Sequence, residues 1–190
     1  MKLTKLTPAL YQKLYDDIHE FRETFDLPVD DPASLDEGTD RLHTSLAIEE
    51  LTELAEGRSK ADEADAIVDT VYVLMGRAVH LGARDADLCL PVSYLVDLLL
   101  HVAANRSIDF IACWDEIHSS NMSKVCRNQQ EYEDTERHYA SKGMPVTQTR
   151  KGEYLIVKCA EDAELGGKLI RKGKVLKSVY YRPADLSSLV

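Results

Sequence analysis

Apolar residues recur at three- and four-residue steps through Leu10, Leu14, Ile18, Phe21 and Phe25, and the spacing predicts a helix from about Pro8 to Phe25. An Asp- and Pro-rich loop follows, from Leu27 to Gly38. A second helix is expected from Asp40 to Glu56, stopped by Gly57, and a third from Lys60 to Leu81, ended by Gly82. Pro91 opens a fourth, to Ala104, because proline suits a first helical turn. Ser107–Ile117 reads as a fifth helix and Asn128–Ser141 as a polar sixth. After Gly143 the period changes. Glu153–Ala160 has the β-branched enrichment of a strand, and Lys168–Val179, split by Gly173, reads as a hairpin. The fold class expected is all-α: a four-helix-type bundle over residues 1–127, with residues 128–190 adding a helix and a small, basic β-hairpin appendage.

Composition narrows the setting. A chain of 190 residues fits one domain, or one with an appendage. A net charge of −10 argues against broad nucleic-acid or anionic-membrane binding, which need basic surface. The four cysteines show no C-x-x-C pairing and read as reduced thiols. The N-terminal stretch lacks an apolar signal core, and no uncharged apolar run reaches about 18 residues. The expectation is a soluble, cytoplasmic protein without nucleic-acid or membrane partners.

Candidate chemistry lies in two acidic clusters: Glu49, Glu50 and Glu53, then Asp62, Glu63, Asp65 and Asp69. Glu53 follows Glu50 by three and Glu49 by four residues, so all three lie near one helix face, which Leu42 and Leu46 begin as apolar. Asp62, Asp65 and Asp69 form a stripe on the third helix, which Tyr72 continues. Asp69 stands among Ile67, Val68, Val71 and Val73, where an ionised carboxylate is costly unless something pairs with it. The short Gly57-Arg58-Ser59 connection makes the two helices antiparallel neighbours, so the clusters converge. Oxygen donors without His or Cys suit Mg²⁺ or Mn²⁺ over zinc, and Glu50, Glu53, Asp65 and Asp69 are the expected ligands. Taken singly, Glu49, Glu56, Asp62 and Glu63 fit a solvated helix end equally well.

Glu49-Glu50-x-x-Glu53 within LAIEELTELAEG resembles the EExxE motif of the all-α nucleoside triphosphate pyrophosphohydrolases, the MazG-like enzymes related to phosphoribosyl-ATP pyrophosphohydrolase. The partner ExxD motif is matched by Ala66-Ile67-Val68-Asp69, with alanine at the glutamate position and Asp65 beside it. SNMSK, from Ser120 to Lys124, resembles a phosphoribosyl-ATP pyrophosphohydrolase-like subgroup, as do GKVLK (Gly173–Lys177) and the Pro183-to-Asp185 phrase. Residues of about 127–168 have no place in that pattern. The resemblance implies Mg²⁺-dependent hydrolysis of a nucleoside triphosphate to monophosphate and pyrophosphate, in a bundle completed by a second subunit. Glu49 would then orient or deprotonate the water, or serve as a ligand, and Asn121 and Lys124 would contact phosphates. The basic residues Lys168, Arg171, Lys172, Lys174 and Lys177 read as a solvated hairpin face or a flap over the triphosphate. Two other readings are open: a pyrophosphohydrolase for phosphoribosyl-ATP or a modified nucleotide, and a non-enzymatic metal-binding helical dimer.

Overall fold

The computed structural model describes residues 2–190, with Lys168 described by its backbone only. The chain falls into two units. The first comprises residues up to 23, 27–118 and 185–190; the second, 24–26 and 119–184. The boundary at 127 read from the sequence thus lies inside the second unit, and the C-terminal residues return to the first.

Helix α1, Pro8–Thr24, starts where Thr7 accepts from the Leu10 amide at 3.2 Å. Its buried stripe is Tyr11, Leu14, Tyr15, Ile18 and Arg22. Both tyrosines are buried with their hydroxyls used: Tyr11 donates to the Ala83 carbonyl at 2.6 Å and Tyr15 to Asp30 at 2.8 Å. Burial first, then the nearby Cys89 and Asp85, pushes the Tyr11 hydroxyl up to about 12.

Helix α2, Glu37–Glu56, begins three residues before the predicted start, because Asp36 caps it by accepting from the Thr39 amide. Helix α3, Lys60–Leu81, has the predicted ends. Ser59 and Asp62 form a reciprocal capping box at its start. At its end Gly82 takes φ 71°, and a Cβ there would lie 3.2 Å from the Asp30 carboxylate. Helix α4, Leu90–Asn105, and helix α5, Phe110–Met122, complete the helical region; α5 starts and ends later than expected. The stretch Ala86–Asn105 is long and apolar enough to cross a membrane by length and composition. It carries Asp97, however, which is buried and accepts from the backbone amides of Thr4, Lys5 and Leu6.

In the second unit helix α6, Gln129–Ala140, packs on an antiparallel pair, β1 (Val146–Lys151) and β2 (Tyr154–Cys159). Its core includes Tyr132, Tyr139, Met144, Leu155, Val157 and Leu176. The β2 strand matches the sequence reading, but the hairpin predicted around Gly173 is corrected. Strand β4 (Lys168–Ile170) pairs backwards with β3 (Ala163–Leu165), through a turn in which Gly166 and Gly167 both have positive φ. All four cysteines are buried and unbridged.

Candidate functional site

The acidic seam is built by α2 and α3, which pack along their lengths. Arg77 of α3 fastens the pair by donating two hydrogen bonds to Asp40 of α2, at 2.9 and 2.7 Å. Burial is distributed unevenly between the partners. Thirteen residues of α3 are buried, whereas only His43 is buried in α2. The α2 carboxylates therefore stand on a helix with one side largely open.

The structure sorts the acids into two uses. Asp62 caps α3 and accepts from the amides of both Arg58 and Ser59, which holds its carboxyl below the usual range. Glu63 lies 3.5 Å from Arg106. Both belong to the architecture. Glu49, Glu50, Glu53 and Asp65 make no ion pair among the described residues. Glu50 is half-buried, and desolvation followed by repulsion from Glu53, Glu49 and Asp65 pushes its carboxyl up to about 7. Asp65 is raised as well, by desolvation and then by Glu53 and Asp62. Its side chain is nevertheless exposed, so solvent screens the effect. Asp69 is half-buried one turn further along α3, between the buried Val68 and Thr70.

These residues do not close into a cage: among the described residues no three Asp, Glu, His or Cys side chains converge as a metal site would require. The physical reason is mutual repulsion, with Glu49, Glu53 and Asp65 turned to water. The donor chemistry still fits a hard divalent cation. All the donors are oxygens, and an open cleft of about 680 Å³ runs past two of them, Glu53 and Asp65, with Glu56, Arg58 and Asp62 also in its wall.

Asn121 and Lys124 lie in the second unit and hold each other, with the Lys124 ammonium donating to the Asn121 side chain at 2.6 Å. The serines of the same segment are bound to the chain's own tail. Arg182 donates to Ser119 at 2.7 Å and, through its amide, to Ser123 at 3.0 Å, while Ser120 donates to the Arg182 carbonyl at 2.9 Å. Trp114 is fully buried and donates to Asp17 at 2.7 Å, so it is a core residue and not a stacking platform. The Lys168 side chain, part of the predicted basic face, lies outside the described residues.

Sequence reasoning passed over a second cavity in the first unit. It measures about 160 Å³ and is lined by Phe21, Arg22, His43, Leu46, Tyr72 and Val73, among others. The His43 Nε2 is 3.2 Å from the His80 Nδ1, and the His80 Nε2 is 2.8 Å from the Ser34 hydroxyl. Burial, then Arg22, lowers His43 to about 4, so it is neutral at physiological pH. The one available signal was Arg22 itself, four residues after Ile18 on the buried stripe of α1.

Comparison with known proteins adds one finding. Residues 18–93 match the model of the phosphoribosyl-ATP pyrophosphohydrolase family, consistent with the all-α nucleoside triphosphate pyrophosphohydrolase superfamily. The match holds Glu49 to Asp69 and stops before Asn121. No curated protein and no solved structure matches the chain.

Proposed function

We propose that the protein hydrolyses a nucleoside triphosphate to the monophosphate and pyrophosphate, with Mg²⁺ or Mn²⁺ as cofactor; the match of residues 18–93 to the phosphoribosyl-ATP pyrophosphohydrolase family supports this reading. The observation that carries this reading is Glu50, half-buried beside three other carboxylates, whose repulsion adds to its burial in raising it to about 7. Such a site repels a polyphosphate until its charge is reversed.

Glu50, Glu53, Asp65 and Asp69 would hold the ion. When bound, it would neutralise phosphate charge and acidify a coordinated water. Asp69 is fixed by the buried body of α3, whereas Glu50 and Glu53 ride on the more open α2. Glu49, exposed at the rim, accepts the proton of the attacking water. Ile48 and Leu51, three residues apart, are exposed on one face of α2, and a second copy of the chain covering that face would complete the bundle.

The family match supports phosphoribosyl-ATP as substrate equally well. A panel of ribo- and deoxynucleoside triphosphates and phosphoribosyl-ATP, assayed with Mg²⁺ and Mn²⁺, separates the two. Monophosphate and pyrophosphate from the triphosphates are expected. Turnover of phosphoribosyl-ATP alone would replace the proposed substrate, and turnover of nothing would remove the enzyme.

A further inference from the structure

The cavity beside His43 has no part in the cleavage described above, yet its placement ties it to the acidic seam. Leu46 precedes Glu50 by four residues, and Val73 follows Asp69 by four. The cavity therefore sits one helical turn along the same α2–α3 seam from the carboxylates. A nucleotide with its phosphates on the carboxylates would carry its base about one sugar away, and one helical turn, about 5.4 Å, is within that reach.

The size of the cavity selects what can enter. About 160 Å³ is close to the roughly 150 Å³ of an engineered apolar cavity that takes up one benzene ring. The lining is mostly apolar and includes Phe21 and Tyr72, whose rings meet edge-on at 5.3 Å. One six-membered ring fits. A bicyclic base could insert only its six-membered half.

The polar character of the wall comes from Arg22. It is 8 % exposed, and its Nε donates to the Pro28 carbonyl at 2.7 Å. It has no carboxylate partner among the described residues. Burial lowers its pKa only to about 10, so the guanidinium remains charged at neutral pH. A buried cation without a counter-charge is costly, and its remaining hydrogens can only donate. A ligand that meets them must offer an acceptor. His43, which meets His80, which in turn meets the Ser34 hydroxyl, is part of the same wall.

We propose that this cavity seats the six-membered ring of the substrate base, with Arg22 donating to a ring carbonyl, so that carbonyl-bearing bases are bound in preference to adenine. Guanine, hypoxanthine, uracil and thymine each present such an oxygen. Adenine presents an amino group at the same edge, and two donors facing each other leave both unpaired. The placement of the phosphates rests on the reaction proposed above; the choice of base rests on the cavity.

The test is calorimetric binding of nucleoside monophosphates to the full chain, which requires no turnover. Deoxyinosine and deoxyadenosine monophosphates form the critical pair, since they differ at one ring edge only, a carbonyl with N1–H against an amino group with a bare N1. The inosine nucleotide is expected to bind at least about tenfold more tightly, the scale of one good base-edge contact. Arg22→Met, which keeps volume and removes the buried charge, should erase that gap; such replacements are often tolerated by the fold. Leu46→Phe, which fills the cavity, should weaken both nucleotides together. Equal or tighter binding of the adenine nucleotide, no binding of either, or a gap that survives Arg22→Met would overturn the base seat. Loss of pyrophosphate release from every triphosphate would overturn the hydrolytic reading instead, and the two failures are read in different assays.

Discussion

Helices α2 and α3 are nearly equal in length, 20 and 22 residues, and share the acidic seam, yet one buries a single residue and the other thirteen. The difference assigns them separate work. Helix α3 is the axis of the helical unit and holds Asp69 in place through its packing. Helix α2 presents Glu49, Glu50 and Glu53 from a scaffold secured by Arg77–Asp40 and by little burial. A site built this way has one fixed wall and one that can adjust. The two units contrast in charge as well. The first holds ten Lys and Arg against twenty-four Asp and Glu, net −14; the second holds thirteen against nine, net +4. The overall −10 conceals that opposition.

The largest expected effect lies where the helices act jointly. Asp69→Asn on α3 and Glu50→Gln on α2 should each lower pyrophosphate release by more than about a hundredfold, with far-UV circular dichroism unchanged. Equal loss from both would show that the open helix matters to chemistry as much as the buried one. Stability should divide the other way. Ile67→Ala, at a fully buried α3 position, should cost about 2–5 kcal/mol in urea unfolding. Ile48→Ala on α2, where the side chain is 59 % exposed, should stay within about 0.5 kcal/mol in a monomer. A large loss at Ile48 would reveal a partner on that face.

The pH response sets the two helices against each other. His43 is lowered in the folded state, so its contribution is present above its unfolded value near 6.5 and is lost as pH falls toward 4, worth at most about 3 kcal/mol. Glu50 is raised, so its contribution runs in the opposite sense: present below about 4.5 and lost as pH rises through about 7. Thermal melts between pH 4.5 and 7.5 should show His43→Gln removing the acid-side loss and Glu50→Gln removing the loss toward neutral pH. The smallest change should be at the start of α3. Ser59→Ala deletes half of the capping box and should cost about 1 kcal/mol in the same unfolding experiment.

How far the sequence disclosed this arrangement depended on how local each signal was. The bounds of α3 were legible because Ser59 and Gly82 mark them by their own chemistry. The start of α2 was displaced because its cap, Asp36, lies in a loop crowded with other aspartates. Strand β1 was missed since VTQTRK faces mostly outward and carries no apolar alternation. The false hairpin came from choosing Gly173 as the turn when Gly166-Gly167 was available. At the candidate site, helical spacing groups Glu50, Glu53, Asp65 and Asp69 on one seam, but it carries no information on whether their oxygens converge, and among the described residues no three do. Asp62 and Glu63 stand apart in the sequence as fitting a solvated helix end, and their partners are a local backbone turn and Arg106. The His43–His80 pair joins residues 37 positions apart and had no sequence signal.

The central claim is that carboxylates from both helices bind one divalent ion as a unit. Titration of Mn²⁺ into the metal-free protein, followed by calorimetry for the wild type, Glu50→Gln and Asp69→Asn, tests it most directly. The account expects saturable binding in the wild type that either substitution weakens strongly. Absence of binding in the wild type, or binding that both variants retain unchanged, would contradict it.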